Sequence, residues 1–173
     1  MHKLIKRLGL DDRLRRENIH RYFLQCTLAF VFVLFSLLVL DAFTQTVLIA
    51  ALGSSTFIAF AVPRSLHSDP RHMIGGYLVG IVAGCLMGTL NDAMNITDLA
   101  TEHSVMIIFG ALATGIAMFI MVVTKTEHPP AAALALGLVL NEWDLLTIVV
   151  VIFGVIALSI FKRLVLPILM DLL

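Results

Sequence analysis

Charge is what this chain has least of. Lys and Arg number 12 and Asp and Glu 12 among 173 residues, 14% together, where soluble domains carry about 25%. That scarcity excludes an ordinary water-soluble fold. Cysteine is nearly missing too: Cys26 and Cys85 both lie inside apolar runs and read as buried free thiols. Nothing has metal-ligand spacing, so neither metal nor cofactor is expected. The opening "MHKLIKRLGLDDRLRRENIHR" has no early apolar core and no small-residue cleavage site, so it is not a secretory signal. No carboxylate cluster falls within the apolar runs, which argues against a cation site.

What remains is oil. Apolar residues make up 60% of the chain, and the mean hydropathy is +0.99. Several runs approach the roughly 20 residues that cross a hydrocarbon core of about 30 Å. The expectation is one all-α, multi-pass domain at 22–173 in the lipid bilayer of an inner or plasma membrane. Residues 1–21 precede it as a cytoplasmic, interfacial segment carrying seven Lys or Arg. Asp11, Asp12 and Glu17 break up its positive charge, so no nucleic-acid partner is expected.

Four runs span without argument: Tyr22–Leu40, His72–Leu90, Ser104–Val123 and Leu145–Phe161. Two are short. Gln45–Val62 is interrupted by Gly53-Ser54-Ser55-Thr56, and Pro129–Leu140 reaches only about 18 Å as a helix. Counting both as crossings, with the N-terminus inside, places all twelve basic residues on the cytoplasmic side. "DAFTQ", "NDAMNITDLATEH" and "NEWD" then lie outside with none. The positive-inside rule thus favours six crossings and two cytoplasmic termini over four helices with two re-entrant segments.

Six crossings expose a repeat at about 22–90 and 104–165, each half reading long, short and interrupted, long. Three crossings per half invert the second relative to the first, a 3+3 arrangement frequent in secondary transporters. Matching interrupted segments are a pointer to a binding site. The bland reading is that small residues there let helices pack closely, as Gly75, Gly76 and Gly80 are expected to do.

Proline fixes φ and lacks an N–H, so Pro129 and Pro130 mark a helix start with His128 extended just before it. Gly53 permits a second break, with Ser54 or Ser55 capping a short helix from Thr56 to Val62. Two such starts would face each other near the membrane midplane. Helix N-termini offer free N–H groups and partial positive charge to an anion. Gly53, Ser54, Ser55, Thr56, His128, Pro129, Pro130 and Ala131 are therefore the candidate substrate-binding residues. His128 adds a group that titrates near neutrality. Lys125 and Glu127 read as residues of the cytoplasmic mouth, pairing with each other, and Arg71 as a topology-setting charge.

"GSSTFIAFAVPRSLHSDPRHMIGG" and "GIAMFIMVVTKTEHPPAAALALG" resemble the HPP family of integral membrane proteins, named for a His-Pro-Pro motif, here His128-Pro129-Pro130. Gly53-Ser54-Ser55 and Pro70-Arg71…Ile74-Gly75-Gly76 match further family elements over about residues 22–165. Gly-Ser-Ser stands where Gly-Ala-Ser is commoner, and Ala131-Ala132 where a Gly is common. The resemblance implies a transporter, with members linked to nitrite uptake, and a count of four helices instead of six. The leading expectation is a transporter or channel for a small inorganic anion, and a homo-oligomer is compatible with it. A membrane scaffold or sensor is the alternative. An intramembrane enzyme using His128 is weaker, because the sequence places no nucleophile beside it and shows no metal set.

Overall fold

The computed structural model describes residues 16–40, 46–94 and 98–172. Most of the basic N-terminal segment, residues 1–15, lies outside them. Among the described residues six helices follow one another: α1 (Arg16–Leu40), α2 (Thr46–Ala61), α3 (Pro70–Ala93), α4 (Leu99–Thr124), α5 (Pro129–Leu140) and α6 (Leu145–Val165), with 3-10 turns at Leu66–Ser68 and Leu166–Ile168. Among the described residues there is no strand. Among the described residues, three helical stretches are long and apolar enough to cross a membrane, Pro70–Ala93, Thr101–Thr124 and Leu145–Ile168, accompanied by the shorter apolar stretches His20–Phe35, Ile49–Ala61 and Pro129–Leu140. Phe23, Phe30, Phe119, Phe153 and Leu164 stand exposed on the outer surface, the side-chain arrangement of a bundle solvated by lipid. The chain is an all-α, multi-pass integral membrane protein.

Local chemistry sets the helix ends. Asp69 accepts from the Arg71 amide at 3.1 Å ahead of Pro70, which needs no partner for its nitrogen. Asp98 caps α4 through the Thr101 amide and hydroxyl at 3.0 and 2.6 Å, and Asp144 caps α6 through Thr147 at 2.7 and 2.6 Å. At the far end of α4, Lys125 turns left-handed (φ 55°), and the Thr126 amide closes back on the Met121 carbonyl at 2.9 Å.

The short helix α5 is the centre of the bundle. Pro130, Ala131, Leu134, Ala135, Gly137, Leu138 and Val139 are all buried, against α3, α4 and α2. Gly76, Gly80, Gly84 and Gly88 form a ladder at i,i+4 spacing along α3. A methyl on successive rungs would strike His128, Ala131, Ala135 with Leu138, and Leu138 again. The residue numbers rise together, so α3 and α5 run parallel with their backbones in contact, the close approach that small residues allow. Gly76 and Gly80 make the expected close contacts with the head of α5, Gly75 instead meets Thr126 of the preceding loop, and the ladder runs two rungs further. On the other flank, Phe161 of α6 packs on Phe32 and Phe60 at centroid distances of 5.9 and 6.0 Å, tying α1 and α2 to α6.

One expected break is absent. α2 runs unbroken through Gly53. Ser54, Ser55 and Thr56 turn their hydroxyls to the carbonyls of Ala50, Ala51 and Leu52, at 3.0, 3.0 and 2.8 Å. Back-bonding four residues up the helix satisfies hydroxyls that would otherwise cap a new one. No short helix begins at Thr56. The cysteines also differ from expectation: Cys26 is exposed and Cys85 only half-buried.

Candidate functional site: a closed polar cluster at the head of α5

His128 is the N-cap of α5, extended at φ −142°, ψ 96°, as the following proline requires. Its ring is 1% exposed. Nδ1 donates to the His67 carbonyl at 2.8 Å, and Nε2 lies 2.8 Å from the Ser55 hydroxyl. Ser55 also lies 2.9 Å from the Tyr77 hydroxyl. The Tyr77 ring sits 5.7 Å from the imidazole, centre to centre. Tyr77 and Ser55 are fully buried. A carbonyl only accepts, so Nδ1 carries a hydrogen and Nε2 is the nitrogen that faces the hydroxyls.

The two loops above this cluster are stitched together. His67 Nδ1 donates to the Glu127 carbonyl at 2.9 Å while His128 donates to the His67 carbonyl, a reciprocal pair. Lys162, 5% exposed, donates from α6 to the Ser68 carbonyl at 2.9 Å and reaches its hydroxyl at 3.2 Å. Arg71 reaches the Thr124 carbonyl at 3.3 Å. Glu127 stands 3.5 Å from His72 Nε2, so its partner is that histidine and not Lys125, which is exposed.

Of the eight candidate residues, the fold brings Ser55 and His128 into contact and buries Pro130 and Ala131 beneath them. Thr56 is buried but bonded within α2. Ser54 and Pro129 are exposed, and a methyl added at Gly53 would meet no heavy atom within 4 Å. Sequence reasoning missed Tyr77 and His67. Tyr77 follows a ladder glycine directly, which was the available signal; His67 acts through its backbone, which leaves none.

Two physical expectations about the site are corrected. Ser55 lies inside α2, so no pair of helix starts faces across the membrane. The head of α5 is level with Gly76, six residues into α3, or about 9 Å from that helix's start. The cluster therefore lies about midway between the start of the 24-residue α3 and its centre. The head of α5 is also poor in free donors. Pro129 and Pro130 have no N–H, and the Ala131 amide is bonded to the His128 carbonyl at 2.9 Å. Hydroxyls and imidazole are the polar groups the site offers.

Chemically, an imidazole nitrogen in hydrogen-bond reach of two linked hydroxyls can exchange protons with them. Ser55 and His128 have the spacing of a nucleophile and its base, yet the serine is sealed in mid-helix and the two prolines supply no amides to an oxyanion. Among the described residues, no three His, Cys, Asp or Glu side chains converge on a metal position. A polar cleft of about 660 Å³ opens at the other end of α5, between Asp92, Glu102, Asn141, Glu142 and Trp143. Its carboxylates make that mouth electronegative.

The profile of the HPP transmembrane region matches residues 14–168. Two transmembrane proteins of Dictyostelium discoideum are similar to the chain. One is 34% identical over 97 residues, 56% of this chain and 31% of that protein. The other is 30% identical over 94 residues, 54% and 28% respectively. In each alignment the chain thus covers less than a third of the relative's length. No solved structure matches the chain.

Proposed function

The chain belongs to the HPP family of transmembrane proteins, and we propose that it is a transporter or channel for a small inorganic monovalent anion, with nitrite the first substrate to test. The observation that carries the reading is the His128–Ser55–Tyr77 cluster itself. An ionisable side chain sealed inside an otherwise apolar bundle is costly, and such residues mark substrate or proton paths. In this reading the cluster is the closed gate, and the half-length α5 leaves the rest of the path to the polar cleft beyond its C-terminus. The distribution of Lys and Arg supports a topology in which both termini face the cytoplasm. Helix packing supports the inverted repeat: α1 on α2 corresponds to α4 on α5, α3 on α5 to α6 on α2, and α3 on α4 to the slight contact of α6 with α1.

The test is uptake by proteoliposomes of the full chain across nitrite, nitrate, formate, bicarbonate and chloride. Saturable uptake of at least one anion above protein-free vesicles is expected; none for any of them ends the reading. A cysteine at Lys125 should label from the cytoplasmic side and one at Asn91 from the other.

The second reading is a membrane scaffold or sensor. It is favoured by one observation: the cluster is sealed, and every polar atom of Ser55, Tyr77 and the His128 ring has a partner within the protein. A Ser55→Cys variant in membranes separates the two readings. Modification by a small charged thiol reagent, altered by the transported anion, supports a gate. A thiol inert under all conditions supports the scaffold.

A further inference from the structure

We propose that the anion travels with one proton, and that Nε2 of His128 is the atom that carries it; this rests on the transport reading above. The argument begins with hydrogens. Nδ1 is committed to the His67 carbonyl in every protonation state, so only Nε2 gains or loses a proton. The Ser55 oxygen lies 2.8 Å from Nε2, 2.9 Å from the Tyr77 oxygen and 3.0 Å from the Ala51 carbonyl. Its single hydrogen serves either Nε2 or Ala51, never both.

Two complete patterns follow. With Nε2 bare, Ser55 donates to it and Tyr77 donates to Ser55. With Nε2 protonated, the imidazolium donates to Ser55, Ser55 turns its hydrogen back to Ala51, and Tyr77 donates as before. Three hydrogen bonds become four, counting the one to His67, and no heavy atom moves. The cluster is built to accept both states of the ring.

Charge supplies the coupling. α2 presents Ser55 to the ring, and α3 presents Tyr77 with His72 nearer its start. His72 stands between Glu127 at 3.5 Å and Asp69 at 3.9 Å. The loop between α2 and α3 offers the His67 carbonyl, and the imidazole of His67 points to the Glu127 carbonyl. From α6, Lys162 is held on Ser68. Lys125, at the end of α4, is exposed. Among the described residues, no carboxylate lies within ion-pair distance of His128. A proton on Nε2 thus places an uncompensated positive charge in a nearly dry position, which is unfavourable unless an anion enters beside it. An anion arriving alone meets a neutral cluster and a helix head poor in N–H donors, and the carboxylates of the far mouth repel it. Proton and anion enter together, one of each, and leave together on the other side. No net charge crosses.

The experiment uses the full chain in vesicles containing a pH-sensitive dye, with external nitrite and the membrane potential clamped. Protein-free vesicles correct for permeation of nitrous acid. Uptake with internal acidification at one proton per nitrite, indifferent to the clamped potential, is the expected result. On the alkaline side of the His128 titration the rate should rise about tenfold for each unit of acidification. Nitrite uptake without acidification, or uptake driven by the potential, overturns the coupling while leaving transport intact. No uptake above protein-free vesicles overturns both. His128→Gln should lose coupled uptake; pH-dependent, proton-coupled uptake in that variant overturns the assignment to Nε2. Independently of transport, nitrogen NMR of histidine-labelled protein at about pH 8 should show His128 with its hydrogen on Nδ1. A hydrogen on Nε2 of the neutral ring would overturn the proposal.

Discussion

Replacing Gly84 by alanine tests the backbone contact on which the site depends. A methyl there would stand 2.8 Å from the Ala135 carbonyl oxygen, 2.8 Å from Leu138 Cβ and 3.0 Å from Ala135 Cα. Comfortable contact needs about 3.5 Å, so α5 must retreat by roughly half an ångström, and no rotamer change relieves it because two of the three atoms are backbone. Overpacking of this kind costs about 1–3 kcal/mol. The better helix propensity of alanine offsets up to about 1 kcal/mol. Gly115 on α4 is the control: it is exposed, with nothing within 4 Å of the added methyl. The propensity gain is common to both sites, so Gly84→Ala should be less stable than Gly115→Ala by about 1–3 kcal/mol. Far-UV circular dichroism of the purified protein during SDS titration in mixed micelles gives the two midpoints. If Gly84→Ala unfolds at the same SDS fraction as Gly115→Ala, or a higher one, the helices are not in backbone contact and the reasoning fails.

Gln25 is fully buried and donates to the Phe60 and Met170 carbonyls, both at 2.7 Å. Gln25→Leu strands these acceptors at a cost of about 1–3 kcal/mol, and should expose the tail after Leu169 to carboxypeptidase; an unchanged digestion rate contradicts this. Lys125 holds a left-handed conformation at φ 55°, which costs a residue with a Cβ about 1–2 kcal/mol. Lys125→Gly should therefore raise the SDS midpoint, and a lowered midpoint would show that the lysine side chain matters more than its backbone. The hydroxyl of Thr101, with its amide, holds the Asp98 carboxyl below its ordinary range, and Thr147 does the same for Asp144. A carboxylate depressed by folding contributes stability above its unfolded pKa and loses it as pH falls through the folded one. The Thr101 and Thr147 amides should thus exchange faster relative to the helix interior below about pH 4. In Asp98→Asn and Asp144→Asn that acid step should vanish.

The helical character of the bundle was legible because composition dictates it: long apolar runs in lipid have helices or closed barrels as their only options. The start of α5 was legible for a similar reason, since two prolines after an extended histidine permit little else. The unbroken course of α2 was not. Gly-Ser-Ser-Thr is punctuation in water, where hydroxyls compete with helix hydrogen bonds. Inside a membrane helix the same hydroxyls bond to carbonyls one turn back and leave the helix whole. The donor-poor head of α5 is written in the sequence, against what a generic helix start suggests. Helix N-termini ordinarily present free N–H groups, and Pro129-Pro130 removes two of them outright. The Tyr77–Ser55 contact and the reciprocal stitch between His67 and His128 depend on how α2, α3 and two loops meet, which no local pattern encodes.

The same packing decides what moves if the cluster opens. α5 is fixed to α3 rung by rung, and a methyl at Gly76 would already stand 2.7 Å from His128 Cβ. His128 and Tyr77 therefore belong to one rigid unit. Ser55 belongs to α2, where Gly53 has open space around it, and where the Gly154 approach from α6 is to the flexible Leu52 side chain, not to backbone. The least costly opening is a displacement of α2 that carries Ser55 away from Nε2 while the α3–α5 pair stays intact. Spin labels at exposed positions test it: Phe57 on α2 with Leu78 on α3 as the moving pair, and Val82 on α3 with Ala133 on α5 as the fixed pair. Adding nitrite at about pH 6 should broaden or shift the first distance distribution and leave the second unchanged. A shift of the second pair alone would locate the hinge in α5 and refute the rigid unit.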